Sequence, residues 1–244
     1  MSRLLLKILT VMLSVMLFPN VMAENKVEVP YEKFDQDKFR SFLREYLFRS
    51  YTDENGVHIE SVLSALGALS GFSLQQGIRE DLIIKGGNEE GKVFTIIETK
   101  GGNKYFFGSI FDEQLYDTRE GQISVWSLVG GGAQKAGASS LPDVSALAKA
   151  NASAIGNEDY GNLTVPLMNQ PIDHPIDAIK KHWDFTKKIL QAKGAEPLFW
   201  SWEIALVAQD IIIAGKSVID PKLAAQIVME PAISMSKIDP SKIN

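Results

Sequence analysis

A run of residues without any charged side chain, from Ser61 to Ile78, most constrains how this chain can fold. Small residues dominate it, among them Gly67 and Gly71, and its polar members are Ser and Gln. Glycine, serine and glutamine are unfavourable in a membrane-spanning helix, and the leucine content is modest, so a buried central helix is the better interpretation. Small side chains at its surface should let neighbouring helices approach closely.

A second stretch, 122–138, is also nearly free of charge and predicts a second buried helix. Gly130-Gly131-Gly132 weakens it by about 1 kcal/mol per glycine relative to alanine. A phosphate-binding loop is the alternative for these glycines, but it needs a preceding strand and a different spacing, so tight helix packing is favoured. We expect the two uncharged helices to form the hub around which the other elements wrap.

The hydrophobic period changes within 92–109, where two segments rich in β-branched and aromatic residues flank the turn residues 99–104 and predict a β-hairpin. Apolar spacing with an N-cap at Asp35 predicts a helix to about residue 50. Proline near each start and glycine near two of the ends predict helices over 175–193, 197–214 and 221–230. The expected fold class is mostly α (α+β): a compact, bundle-like helical domain over 24–244 with one packed β-hairpin.

Residues 1–23 have the three parts of a secretory signal peptide. Arg3 and Lys7 come first, an apolar run from Ile8 to Phe18 follows, and Val21-Met22-Ala23 offers a cleavage site. The apolar run is shorter than the roughly 20 residues of a membrane span, although an uncleaved anchor is the alternative. We therefore predict a periplasmic or secreted protein with no stable membrane insertion after leader cleavage.

Charge and composition exclude several classes of function. The net charge of −5 argues against a nucleic-acid binder that uses a basic face. With no cysteine, the chain has no disulfide, thiolate zinc site, iron–sulfur cluster or cysteine nucleophile. His174 and His182 are about 12 Å apart along a helix and cannot share a metal ion there. We expect no metal and no cofactor, and we expect His182 to be a partly buried, hydrogen-bonded histidine, with catalysis as the alternative.

Acidic residues recur every seven positions at Glu196, Glu203 and Asp210 on an otherwise apolar helix. Neighbours in this acidic stripe are about 10 Å apart along the axis, too far for the carboxylate pair of a retaining glycosidase. The amphipathic pattern predicts a solvent-facing strip. The alternative is the acidic wall of a cleft.

Polar side chains inside the two uncharged helices form a second group of candidates: Gln75, Gln76, Trp126 and Gln134. A buried amide needs hydrogen-bond partners. Bonds among these side chains would fix the register of the helices. A pocket lined by amides and an indole is the functional alternative.

Four strings carry a resemblance to a family: HIESVLSALGALSGFSLQQ, KYFFGSIFDEQL, SVWSLVGGGAQKAGASSLPDV and VIDPKLAAQIVMEPAISMSKID. Over most of the mature chain the sequence resembles an uncharacterised family of bacterial proteins. The resemblance implies a bacterial source and a single domain, and it transfers no activity, cofactor, partner or functional residue. Members of that family begin near the first helix of this chain, so the leader is a departure from their pattern.

Two functions follow from these observations. The first is a non-enzymatic binding or interaction protein whose partner is a small molecule or another protein. The second is a hydrolase that uses Glu203 with a histidine from another segment. A hydrolase requires a cleft in which His182 or His58 lies within hydrogen-bond reach of a carboxylate with access to water. The candidate binding residues are Gln75, Gln76, Trp126, Gln134, His182 and Glu203.

Overall fold

The computed structural model describes residues 35–117, 119 and 121–243, which belong to one compact unit, Lys33–Asn244. The predicted signal peptide, 1–23, lies outside the described residues and stays a prediction. The described part is mostly helical with two small antiparallel hairpins, so the predicted fold class is confirmed.

The described elements follow one another with short connections. The α-helices are α1 (Gln36–Ser50), α2 (Ile59–Ile78), α3 (Glu90–Val93), α4 (Ser109–Tyr116), α5 (Val125–Lys135), α6 (Val144–Ser153), α7 (Pro175–Ala192), α8 (Trp200–Ala214) and α9 (Pro221–Met235). The strands are β1 (Thr52–Asp53), β2 (Gly56–Val57), β3 (Thr95–Glu98) and β4 (Lys104–Phe107). A π-helical stretch, Arg79–Lys85, extends α2, and 3₁₀ turns occupy Leu167–Asn169, Pro197–Phe199 and Pro240–Lys242.

Side-chain caps fix several helix starts as predicted. Asp35 Oδ1 accepts the backbone N–H of Lys38 at 3.1 Å, which satisfies one of the unpaired donors in the first turn of α1. His174 caps α7 in the same way, with Pro175 at the first helical position.

The end predicted for the last long helix was wrong, because α9 continues past residue 230 and through Pro231 to Met235. A proline inside a helix removes one backbone hydrogen bond and costs about 3 kcal/mol. Pro231 itself and the four residues after it are buried, so tertiary packing outweighs the local preference.

Helix α2 is the predicted buried central helix, with every residue from Ser61 to Ile78 except Gln76 buried. It packs mainly against α9 and α8, whereas α5 packs mainly against α8 and α9. The expected hub of two uncharged helices is therefore corrected: α9 takes the place that we predicted for α5. The physical reason is that α9 buries ten of its residues, while α5 ends in the exposed pair Gln134 and Lys135.

Glycines let these helices touch backbone to backbone. A methyl group added at Gly67 would lie 2.1 Å from the carbonyl oxygen of Val228, and one at Gly71 would lie 2.0 Å from that of Ala232. Both distances are far inside van der Waals contact. The predicted close approach of neighbouring helices is confirmed, and its partner is α9.

The predicted hairpin is present as β3 and β4, with Thr95 opposite Phe107 and Glu98 opposite Lys104. It is held by the C-terminal segment, residues 236–242. The Phe106 N–H donates to the carbonyl oxygen of Lys237 at 2.8 Å, and Tyr105 forms an antiparallel bridge with Ile238. The C-terminal segment thus pairs with the free edge of β4 and joins the hairpin to the helices.

One described stretch, Pro197–Ala214, is long and apolar enough by length and composition to cross a membrane. In this fold 56% of it is buried within the protein. The core helix of a water-soluble protein has the same character.

Candidate functional site

The four amide and indole candidates do not form a shared pocket. Gln75 is buried, and its Nε2 donates to the carbonyl oxygens of Ser236 (3.1 Å) and Ile238 (3.0 Å), so it orders the C-terminal segment. Gln76 is half-buried, and Trp126 is 9% exposed on α5.

Gln134 is exposed, which corrects its prediction as a buried amide. It lies in the last turn of α5, where the helix leaves the core.

The acidic stripe does not face solvent, and that prediction is also corrected. Glu203 is 3% exposed and accepts a hydrogen bond from Gln36 Nε2 at 2.7 Å. Asp210 pairs with Arg40 at 3.4 Å, and Glu196 lies outside α8, just before the 3₁₀ turn that precedes it. Helix α1 covers this side of α8 with polar partners for both carboxylates, and the repeat in α8 alone did not reveal that covering helix.

His182 is fully buried and hydrogen-bonded, as expected in kind, although the burial is more complete than predicted. Its Nδ1 lies 3.0 Å from the Tyr46 hydroxyl and its Nε2 lies 3.1 Å from the Tyr51 hydroxyl. Both tyrosine rings meet the imidazole edge to face. Burial, aided by the neighbouring Lys181 and opposed by Asp173, lowers the pKa of His182 to about 4, so the ring is neutral at pH 7.

The donors and acceptors around His182 form one directional chain. The Tyr51 hydroxyl lies 2.8 Å from Asp173 Oδ2 and must donate to it, because a carboxylate only accepts. The Tyr51 oxygen then accepts from His182 Nε2–H, and Nδ1 accepts from the Tyr46 hydroxyl. Burial and the bond to Asp173 raise the pKa of Tyr51. Burial opposes ionisation of Asp173, but the bonds from Tyr51 and Lys181 keep the pKa of Asp173 below its ordinary value.

Glu203 and His182 are not brought together. They contact α1 at Gln36 and Tyr46, ten positions apart and so about 15 Å apart along the helix axis.

His58 serves as the N-cap of α2. Its Nδ1 accepts the Ser61 N–H at 3.3 Å and lies 3.7 Å from Glu60 Oε2, beyond hydrogen-bond range. Within the described ranges, neither histidine meets the requirement stated for a hydrolase, and no group of three acidic or histidine side chains is arranged to hold a metal.

A buried lysine joins the hairpin to the core. The Lys237 side chain is 4% exposed, with Nζ 4.4 Å from the centre of the Phe111 ring and 3.7 Å from Asp112 Oδ1. Burial lowers the pKa of Lys237 to about 8, against the smaller opposing effect of Asp112. The rings of Phe94 and Phe106 also pack against the Arg79 guanidinium. Two cations are therefore held among the aromatic rings under the hairpin.

A cavity of about 230 Å³ lies where β4, residues 157–160, the start of α7 and the C-terminal segment meet. Its apolar wall is formed by Tyr105, Tyr160, Ile176, Met235 and Ile238. The rings of Tyr105 and Tyr160 meet edge to face with centres 4.9 Å apart. The Tyr160 hydroxyl donates to the carbonyl oxygen of Ser234 at 2.8 Å, which fixes that ring. We call this space the junction cavity.

The polar groups of the junction cavity are Asn103, Lys104, Asn157, His174, Asp239 and Lys242. Lys242 Nζ donates to Asn103 Oδ1 at 2.7 Å. His174 Nδ1 accepts the Ile176 N–H at 3.4 Å, so the proton of the neutral ring is on Nε2. Burial lowers the pKa of His174, which favours this neutral form.

Gly161 makes room for the His174 ring. Its φ of +91° is in the left-handed region, and a methyl group there would lie 3.1 Å from His174 Cε1 and 3.0 Å from Met235 Cε. A second cavity of about 190 Å³, lined partly by Asn162, Gln170 and Asp173, also has His174 in its wall. His174 therefore borders two cavities.

Sequence reasoning missed the junction cavity. Its residues come from four distant segments, and only His174 was singled out, as a histidine and as a helix cap. Two tyrosines and two lysines without a common periodicity give no local signal for a shared wall.

No known protein family matches this chain, and neither a curated protein nor a solved structure matches it. Function is therefore inferred from the site.

Proposed function

We propose that this chain is an exported bacterial binding protein that holds a small organic molecule in the junction cavity without transforming it. One observation carries the proposal: an aromatic and apolar wall faces a few polar groups that converge from separate segments. Binding sites for small molecules have this composition. The fixed Tyr160 ring means that the wall needs little ordering when a ligand enters.

The same residues argue for binding rather than catalysis. Acid–base or nucleophilic chemistry needs paired groups within hydrogen-bond reach of each other. In the junction cavity, His174 Nδ1 is occupied by a helix amide, and Asp239 Oδ1 accepts the Ser241 N–H at 2.9 Å. The alternative of a Glu203 hydrolase gains no support, since the described residues place Glu203 far from His182 and bury both.

The volume of the cavity limits the ligand. Pockets for drug-sized molecules measure roughly 300–1,000 Å³. A cavity of about 230 Å³ fits a molecule with one ring and short substituents.

Export is the second part of the proposal, and it depends on the leader alone. The intact mass of the protein recovered from its host tests it directly. A mass that begins at Glu24 supports export with cleavage after Ala23, and a mass that retains Met1 contradicts cleavage.

Binding is tested by native mass spectrometry of protein purified gently from its host. The blocking variant is Asn157→Trp, which places an indole at an exposed residue lining the cavity. The matched control is Gln191→Trp, at an exposed position of α7 outside the cavity wall. We expect a small-molecule adduct on the wild-type protein and on the control, and none on the blocked variant. An adduct that persists in Asn157→Trp, or its absence from the wild type, contradicts the proposal.

A further inference from the structure

We infer that the ligand of the junction cavity is a small organic anion, with a carboxylate or phosphate group attached to an apolar, ring-sized body. This inference rests on the proposed function and adds the chemical class of the ligand.

The charged groups of the cavity favour an anion. Two ammonium groups, those of Lys104 and Lys242, stand against the single carboxylate of Asp239. That carboxylate caps the turn Pro240–Lys242 through its bond from the Ser241 N–H. The excess of positive charge is local, because the whole chain has a net charge of −5. A positive opening on an acidic protein attracts small anions and repels cations less than a basic protein would, so the selectivity must come from the cavity itself.

The Lys242 ammonium is positioned before any ligand arrives. Its bond to Asn103 Oδ1 uses one of three N–H groups and leaves two for an acceptor. Charge-assisted bonds from an ammonium to a carboxylate or phosphate are among the stronger hydrogen bonds in proteins.

His174 supplies a neutral donor on the same cavity wall. Because Nδ1 accepts from the backbone of α7, the ring has its N–H on Nε2, and the described residues provide no acceptor for it. A half-buried donor gains most from a ligand oxygen. A cationic ligand would instead meet this N–H and two ammonium groups.

The opposite wall specifies the rest of the molecule. The Tyr105 and Tyr160 rings, with Ile238 beside them, offer an apolar surface on which a ring can pack edge to face or offset. Inorganic phosphate has no group to fill that space. The anion must therefore have an apolar body.

Isothermal titration calorimetry with four probes tests this inference: benzoate, phenyl phosphate, benzamide and inorganic phosphate. We expect benzoate or phenyl phosphate to bind at least about tenfold more tightly than benzamide and than inorganic phosphate, the ratio expected for a charge-assisted hydrogen bond. Whichever of the two binds more tightly identifies the carboxylate or phosphate class.

Two variants and one control locate the effect. Lys242→Gln should weaken the better anion about tenfold. His174→Asn keeps a good helix cap, removes the imidazole N–H and should weaken the same anion several-fold. Lys222→Gln removes an exposed lysine that does not line the cavity and should leave affinity unchanged.

The outcomes separate the inference from the proposed function. Benzamide binding as tightly as benzoate, or an adduct in native mass spectrometry that proves to be neutral, overturns the anion and leaves the binding function standing. Inorganic phosphate binding as tightly as phenyl phosphate overturns the apolar body. Unchanged affinity in both Lys242→Gln and His174→Asn overturns the assignment of these donors. If no probe binds the wild-type protein at millimolar concentration and no adduct is found, both proposals fail.

Discussion

Acidification from pH 7 to pH 5 should weaken this fold by about 2 kcal/mol through His182 alone. The pKa of this fully buried imidazole is lowered to about 4 in the folded protein, whereas an exposed histidine in the unfolded chain has a value of 6.5. Between those two values the unfolded chain binds a proton that the folded protein does not. The free energy of unfolding therefore falls as the pH drops from 6.5 to 4.

The network around the ring explains why it resists protonation. Nδ1 accepts from Tyr46 and Nε2 donates to Tyr51, so the neutral ring satisfies both hydroxyl groups. A proton added at Nδ1 would force the Tyr46 hydroxyl to turn away and would place a charge in a site without water. Integration of the linkage relation over this pKa difference gives the figure of about 2 kcal/mol between pH 7 and pH 5.

Urea unfolding of the wild-type protein and of His182→Phe, each at pH 7 and pH 5, measures the effect. The variant loses the hydrogen bonds of two tyrosines and should be less stable at pH 7, by about 1–3 kcal/mol per unsatisfied group. Its further loss on going to pH 5 should be about 2 kcal/mol smaller than that of the wild type. His174, whose pKa is also lowered by burial, is present in both proteins and cancels. Equal losses in the two proteins would refute the reasoning.

Three further substitutions test the packing. In thermal unfolding, Gly71→Ala should destabilise the protein, because its methyl group would lie 2.0 Å from a carbonyl oxygen of α9, whereas Gly131→Ala meets only a side-chain atom at 3.9 Å and should stabilise it by about 1 kcal/mol; the same sign for both would contradict this account. Lys237→Met should raise stability at pH 7, and it should abolish the rise that the wild type shows as pH increases from about 8 to 10.5, the interval in which only the unfolded chain keeps the lysine proton; urea titrations that show no such rise in the wild type would exclude it. Gln75→Leu leaves two buried carbonyl groups without their donor and should cost about 1–3 kcal/mol per group; hydrogen exchange should then quicken at Phe106, and unchanged protection there would count against the role of Gln75.

Local signals in the sequence were sufficient for most elements. The cap at Asp35, the proline at the first position of α7 and the change of period at the hairpin depend on neighbouring residues only, and each was predicted correctly. The uncharged run in α2 also predicted burial, because such a long stretch has no polar face to offer to water.

The errors arose where a distant segment decides the outcome. Glu203 repeats with helical period, and a covering helix with Gln36 in the right place turns an apparently exposed carboxylate into a buried one. Pro231 should end a helix by local rules, yet the burial of its neighbours extends α9 beyond it. Both depend on contacts between segments far apart in the chain, which neither periodicity nor composition contains.

The candidate site was the least accessible to sequence reasoning. Gln75 was rightly singled out as a buried amide, but its partners are backbone carbonyls of the C-terminal segment rather than other side chains. Tyr105, Tyr160 and Lys242 form one wall only after four segments have met. None of these residues has a distinctive neighbour in the sequence.

The pairing of β4 with Lys237 and Ile238 also sets the timing of biosynthesis. About 130 residues separate the two partners along the chain, and a ribosome needs roughly ten seconds or more to add that many. Until then the ribbon is an isolated pair of strands, which is only marginally stable in water. A growing polypeptide therefore has no working binding site until its final residues emerge, so any molecule that it captures must be met after translation ends.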